Sequence, residues 1–406
     1  MLGLAPGGVN QFKRVRAAGW RCYSQPRPVS AVRAPHRLQA MPVSAFLPRP
    51  QLQRVFDALQ HLGYRIVGPV ARDGALLYEE ITSASELPWG VAARQDAGSF
   101  HLEAGAGERC FAWANGPQAL KPRVFAPVEP LWRMERKGAG FEVRMAQAAR
   151  RPTAVIGVRA CDLAALALQD RHFLGGLHAD AHYAVRREDL LLIVVNCTHP
   201  AATCFCASTG DGPQASCGFD LALTELDEGY TVAAGSPPGE KLLALLAPAP
   251  ATADQLERER GALHRAAAAQ TRALPGRHLR DILMVRLDHP RWQEVAERCL
   301  ACGNCTAVCP TCFCHAEIES ASLDGATSLH LREWDSCFGE RHGYIHGKQL
   351  RPGTRERYRQ WLMHKLATWH DQYGRSGCVG CGRCITWCPA AIDLTEEAAA
   401  LCAGAA

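Results

Sequence analysis

The chain has 406 residues, 48% of them hydrophobic and 21% charged, with a formal net charge of +5 and nineteen cysteines. This allows two or three domains with an ordinary core and excludes a disordered or fibrous class. It also excludes a small secreted disulfide scaffold, while no apolar run nears the roughly 18–20 residues that cross a bilayer and no basic-aromatic pattern suggests nucleic acid.

Residues 1–40 hold Lys13, Arg14, Arg16, Arg21, Arg27, Arg33 and Arg37 without a single acid. The composition is that of a transit peptide, but the reading adopted is a disordered extension or a start codon placed too far upstream. Met41 then opens the foldable chain, and Cys22 is a free thiol. Residues 41–280 read as an α/β domain. Leu52, Val55, Phe56, Leu59 and Leu62 recur at helical spacing, and Gly63 stops the helix. Tyr64–Val67 and Ala75–Tyr78 read as strands around a turn at Arg72-Asp73-Gly74. Residues 80–150 give strand-like fragments, with Cys110 a buried core thiol.

Val155–Val158 is an apolar strand followed by Cys161-Asp162 and a helix to about Leu174. Leu190–Val195 is a second strand, ending at Asn196-Cys197. Strand–helix–strand with cysteines at strand C-termini is where α/β proteins place ligand sites. Thr203-Cys204-Phe205-Cys206 and a Gly-rich loop follow. Cys161, Cys197, Cys204 and Cys206 are therefore expected to hold a [4Fe–4S] cluster, provided a turn brings Cys204 and Cys206 to one side. The alternative is four buried thiols. Phe219–Leu226 and Tyr230–Ala234 read as a hairpin, and residues 239–273 as helix. No G-x-G-x-x-G lies between a strand and a helix, so no flavin or nicotinamide site is expected here.

Residues 281–406 read as a helical, ferredoxin-like domain for two clusters. Cys299, Cys302, Cys305 and Cys309 precede Pro310; Cys378, Cys381, Cys384 and Cys388 precede Pro389. Both runs are C-x2-C-x2-C-x3-C-P, the bacterial ferredoxin pattern for [4Fe–4S] clusters. Three thiolates two residues apart wrap one cluster, and the fourth ligates the other. The expected sets are thus Cys299, Cys302, Cys305 and Cys388 for one cluster, and Cys378, Cys381, Cys384 and Cys309 for the second. Zinc, the alternative, favours separated C-x2-C knuckles. Between the runs lies a long insertion, 310–377, which leaves the crossed sets undisturbed if it loops out. It carries the surplus Cys312, Cys314 and Cys337 and a basic stretch from Arg341 to Lys365. That stretch reads either as a solvated helical face or as positive charge for docking or for stabilising reduced clusters.

Several segments together carry a resemblance. They are Gly157-Val158-Arg159-Ala160-Cys161-Asp162, Asn196-Cys197, Thr203–Cys206, Trp334-Asp335-Ser336-Cys337-Phe338, Tyr344–Gly347, Arg357–Trp361 and Cys378–Pro389. Over about Phe46–Leu401 the chain resembles the iron–sulfur β subunit of sulfhydrogenases ([NiFe] hydrogenases) and the iron–sulfur subunit of anaerobic sulfite reductase, one family of 4Fe–4S dicluster proteins. The resemblance implies an electron-transfer subunit rather than a catalyst. It would relay electrons between a flavin/nicotinamide-binding subunit and a hydrogenase or sulfite reductase catalytic subunit. Because cluster thiols must stay reduced, the expected location is cytoplasmic. The alternative is an enzyme that reduces disulfide or polysulfide at a cluster through the surplus cysteines.

Overall fold

The computed structural model describes residues 44–276 and 278–404. The extension of residues 1–40 and its Cys22 lie outside the described residues, and so does Met41. In chain order the strands are β1 (Ala45–Pro48), β2 (Arg65–Arg72), β3 (Ala75–Ile81), β4 (Val91–Asp96), β5 (Ser99–Ala104), β6 (Val128–Lys137) and β7 (Gly140–Met145). They continue with β8 (Thr153–Val158), β9 (Leu190–Val195), β10 (Leu221–Glu225), β11 (Gly229–Ala234), β12 (Ala249–Pro250), β13 (His315–Ala321) and β14 (Thr327–Trp334).

An eight-stranded sheet of order β12-β1-β11-β10-β9-β8-β2-β3 forms the first half. Its centre, β10-β9-β8-β2, is parallel, and its flanks are antiparallel. A parallel centre is covered on both faces, so its middle strands read as apolar runs rather than alternating. Every residue of β8 is buried, and all of β9 except Leu190. The helix Gln53–His61 covers one part of the sheet, with Val55, Phe56 and Leu59 inward. Gly63 ends it at φ +81°, where the left-handed region favours glycine.

The helix Ala160–Leu174 is buried on both sides. Leu163, Leu166 and Phe173 face the sheet core. Cys161, Ala164, Ala165 and Leu168 face Trp369, Val379 and Cys381 of the second half. Its strand-to-helix turn begins at Gly157, φ +89°, where the β8–β9 register slips and the Tyr78 hydroxyl donates to the Gly157 carbonyl at 2.6 Å. The expected hairpin is β10–β11. The expected helix over 239–273 is instead two, Pro237–Leu246 and Ala253–Ala268, parted where β12 joins β1.

In the second half, the helices Leu279–Val285, Arg291–Arg298, Thr354–Met363 and Leu394–Cys402 close around Trp292, Leu362, Leu366 and Leu401. The insertion 310–377 does not loop out: β13 and β14 form a hairpin, and β14 pairs antiparallel with β6, giving a sheet β13-β14-β6-β7. Sheet hydrogen bonds therefore cross residue 280, the expected boundary. The basic stretch is not wholly a solvated face either. Arg357 is buried and donates to the carbonyls of Phe338, Arg351 and Pro352, and Lys365 is buried.

Candidate metal centres

The two ferredoxin-type runs fold alike. Gly303 at φ +78° and Gly382 at φ +74° each cap a one-turn helix, Asn304–Ala307 and Arg383–Thr386. A side chain is excluded at Gly382, where a Cβ would lie 2.5 Å from the Thr203 carbonyl oxygen. The third cysteine of each run, Cys305 or Cys384, sits inside its helix; the fourth follows it.

The thiols gather in crossed sets. Burial pushes the Cys305 thiol well up, and the charges of Cys299, Cys302 and Cys388 push it the same way. Burial likewise raises Cys384, with Cys378, Cys381 and Cys309 adding to it. Each fourth cysteine thus lies within electrostatic reach of thiols of the other run. Hydrogen bonds reach the sulfurs. The Ala301 N–H donates to Cys299 Sγ at 3.4 Å, and the Ile392 N–H to Cys388 Sγ at 3.3 Å. The Lys365 ammonium donates to Cys309 Sγ at 3.1 Å. Burial opposes ionisation of Cys309, but the Lys365 charge together with hydrogen bonds from Thr311 and Lys365 outweighs it, and the thiol ends below its usual range. The two sets differ in exposure: Cys302 is exposed, whereas Cys309, Cys378 and Cys381 are buried.

The N-terminal cysteines are also brought together. Cys161 follows β8 and Cys197 follows β9, and all four of Cys161, Cys197, Cys204 and Cys206 are buried. The turn that the sequence required is present: Cys204 N–H bonds to the Ala201 carbonyl, and the helix Cys206–Thr209 begins at once. Burial is the first cause raising Cys204, and Cys197 and Cys206 push it the same way. Cys206 is pushed up to about 12 by burial, then by Cys197. Cys161 feels Cys206 and Cys381.

This loop is clasped to the second ferredoxin run. The Phe205 N–H donates to the Gly380 carbonyl at 2.8 Å, and the Thr203 and Thr386 hydroxyls lie 2.8 Å apart. A Cβ on Gly380 would lie 2.5 Å from Cys206 N. Arg383 forms a buried pair with Asp162. Sequence reasoning missed two participants: Asn115, whose amide donates to the Cys381 carbonyl at 3.0 Å, and the buried Lys121. Asn115 lies in irregular chain without periodicity.

The surplus Cys312, Cys314 and Cys337 meet as well. The Cys312 and Cys314 thiols hydrogen-bond, as do those of Cys314 and Cys337. Among the described residues, no three His, Cys, Asp or Glu groups stand close enough to hold a single metal ion. A cubane attaches each thiolate to a different iron, so its ligands stand apart around a common centre. Four thiols, sulfur-directed N–H groups and an apolar shell fit such a group.

A family model described as a 4Fe–4S dicluster domain matches residues 298–392. The chain is 29% identical over 349 residues to sulfhydrogenase 2 subunit beta of Pyrococcus furiosus, covering 83% of this chain and 92% of that protein. The expected resemblance to a sulfhydrogenase β subunit is thereby borne out. No solved structure matches the chain.

Proposed function

We propose, for a chain with a 4Fe–4S dicluster domain and a likeness to a hydrogenase β subunit along most of its length, a relay role in a multisubunit oxidoreductase. Electrons pass between a flavin/nicotinamide-binding subunit and a hydrogenase or sulfite reductase catalytic subunit. The observation that carries this reading is the crossed grouping of the ferredoxin-type thiols.

In this reading Cys299, Cys302, Cys305 and Cys388 hold one [4Fe–4S] cluster, and Cys378, Cys381, Cys384 and Cys309 the second. Cys161, Cys197, Cys204 and Cys206 hold a third, docked on the second through the Phe205–Gly380 contact. When bound, these clusters supply one-electron redox chemistry with no proton transfer required of the protein. The chain's own residues set the conditions for it. Backbone N–H groups and Lys365 direct positive charge at the sulfurs, and the helices of the second half exclude water. Cys302 and the adjacent Leu300, which is 68% exposed, present the first set to the surface, where a partner can approach. Every described cysteine is a free thiol, which supports a cytoplasmic setting. No described helix is long and apolar enough to cross a membrane.

The test uses the anaerobically purified full chain with an artificial low-potential donor. The expected result is reversible one-electron reduction of the clusters without substrate turnover. Sustained reduction of a disulfide or polysulfide by the isolated chain contradicts a relay role and supports an enzyme.

A further inference from the structure

The N-terminal ends of the parallel strands carry a cleft that no cysteine lines. Its floor is one row of the sheet, where Arg65, Thr153 and Leu190, the first residues of β2, β8 and β9, stand in register. The cleft measures about 230 Å³, and Arg65, Arg123, Arg151 and Arg186 line it against a single carboxylate, Asp189. That carboxylate is already engaged. Its Oδ2 accepts the Arg151 N–H at 2.7 Å, and its Oδ1 lies 3.3 Å from Arg150 Nη1. Cys161 and Cys197 follow the opposite ends of β8 and β9.

The arginines are held in place but incompletely matched. Arg65 Nε donates to Thr153 Oγ1 at 2.8 Å, and its Nη1 lies 3.6 Å from the exposed Glu80. Arg186, on the helix Ala181–Glu188, places Nη2 2.7 Å from Glu129, but Glu129 also takes Arg332 and His182. Arg123, in the short helix Lys121–Val124, forms no ion pair among the described residues, and its Nη2 donates to the Tyr78 carbonyl. Two buried guanidinium nitrogens of this cleft, Arg123 Nε and Arg186 Nη1, have no hydrogen-bond partner among the described residues. Buried donors are normally satisfied, and leaving one of a charged group unpaired is costly. Burial, then the neighbouring Arg65 charge, lowers the Arg123 pKa from its usual value. An anion in the cleft opposes both effects.

We propose that this cleft binds a phosphate group, free or at the end of a small ester, through Arg65, Arg123, Arg151 and Arg186. A guanidinium presents a planar fork of N–H donors that matches two oxygens of a phosphate, and here two guanidiniums with open donors line the same cleft. The volume falls below the roughly 300–1,000 Å³ of sites that enclose drug-sized ligands, so the group bound is small. Occupancy ties the Lys121–Val124 segment and the Ala181–Glu188 helix to the starts of β2 and β8. The site uses no cluster thiol and stands independently of the relay role.

The experiment measures binding of inorganic phosphate and of glycerol 3-phosphate to the anaerobically purified full chain by calorimetry, in chloride at matched ionic strength, with thermal midpoints alongside. The wild type is expected to bind at least one of the two and to gain thermal stability as its concentration rises. The tighter of the two tells whether the site takes the free ion or an ester. Arg123→Gln is expected to weaken binding about tenfold with iron content unchanged. If that variant does not fold, Arg151→Gln, at the exposed rim, is read in its place, with a loss of about threefold expected. Arg258→Gln, outside the cleft, is expected to bind as the wild type does. No binding by the wild type, undiminished binding by the folded cleft variant, or equal weakening in Arg258→Gln overturns the proposal. Iron content and cluster spectra are read separately, so failure of the relay role is distinguishable from failure of this site.

Discussion

Asp162 and Arg383, 221 positions apart in sequence, form a fully buried ion pair, with Arg383 Nη1 2.7 Å from Asp162 Oδ1 and Nη2 3.2 Å from Oδ2. Asp162 belongs to the first turn of the helix that carries Cys161, and Arg383 precedes Cys384. The pair thus ties the N-terminal cysteines to the second ferredoxin run. Removing one partner from a buried pair strands a charge, at a cost of about 3–5 kcal/mol. Asp162→Asn is therefore expected to lower the thermal midpoint sharply. The double variant Asp162→Leu/Arg383→Met is expected to regain most of the loss, because apolar replacement of both partners removes the desolvation cost. A double variant no better than the single one contradicts this account.

The Gly380 contact makes a second prediction. Its φ is +64°, and a Cβ there would meet the Cys206 backbone nitrogen at 2.5 Å. Gly380→Ala is expected to force the Cys204–Cys206 loop away from the second run. Iron content should fall and thermal stability with it, by more than the ~1 kcal/mol that left-handed strain alone would cost. Gly63→Ala, with open space at its Cβ, is the control that carries strain without the clash. Equal losses in the two variants would mean that the contact contributes nothing.

Lys365 makes a third. Its ammonium bonds to Cys309 Sγ, so it favours the more negatively charged, reduced form of any cluster bound there. Lys365→Met is expected to lower that cluster's reduction potential, by about 60 mV if roughly 1.4 kcal/mol of differential stabilisation is lost in a one-electron couple. EPR-monitored redox titration checks it. A potential that rises, or stays put, means that the lysine's charge is compensated elsewhere.

Much of this was legible in sequence, and what was not has a physical cause. The ferredoxin runs are spaced by the geometry of one ligand shell, so local sequence carries them. β8 and β9 are buried on both faces and read as apolar runs. The helix Gln53–His61 buries one stripe and reads by its period. The β13–β14 hairpin was hidden because it joins β6 from far away in the chain, and its Glu317 and Glu319 give it a polar outer face. The basic stretch left a solvated face and positive charge near the clusters both open, because a single lysine carries no sign of burial; the thiols around Lys365 supply the reason for the second. The same hairpin brings Cys312, Cys314 and Cys337 together.

The fourth prediction concerns pH. His172 stacks on Phe313, with ring centroids 3.5 Å apart, and burial pushes its pKa down to about 4. In the unfolded chain the value returns to about 6.5. Between these values the unfolded state binds more protons, so stability falls as pH drops from about 6.5 towards 4 and is unaffected above. His172→Phe is expected to show a smaller drop in thermal midpoint between pH 7 and pH 5 than the wild type. An identical drop assigns the acid sensitivity to other groups.

The central claim is a chain whose ferredoxin-type thiols bind clusters in crossed sets and pass single electrons. Its most direct test is Mössbauer and EPR spectroscopy of the anaerobically purified, 57Fe-labelled full chain before and after reduction, with Cys388→Ser alongside. The account predicts at least two [4Fe–4S] clusters, each reduced by one electron. It also predicts that Cys388→Ser perturbs the cluster of Cys299, Cys302 and Cys305 while sparing that of Cys378, Cys381 and Cys384. Zinc in place of iron, clusters that take up no electron, or a Cys388→Ser change confined to the second run's own cluster would contradict it.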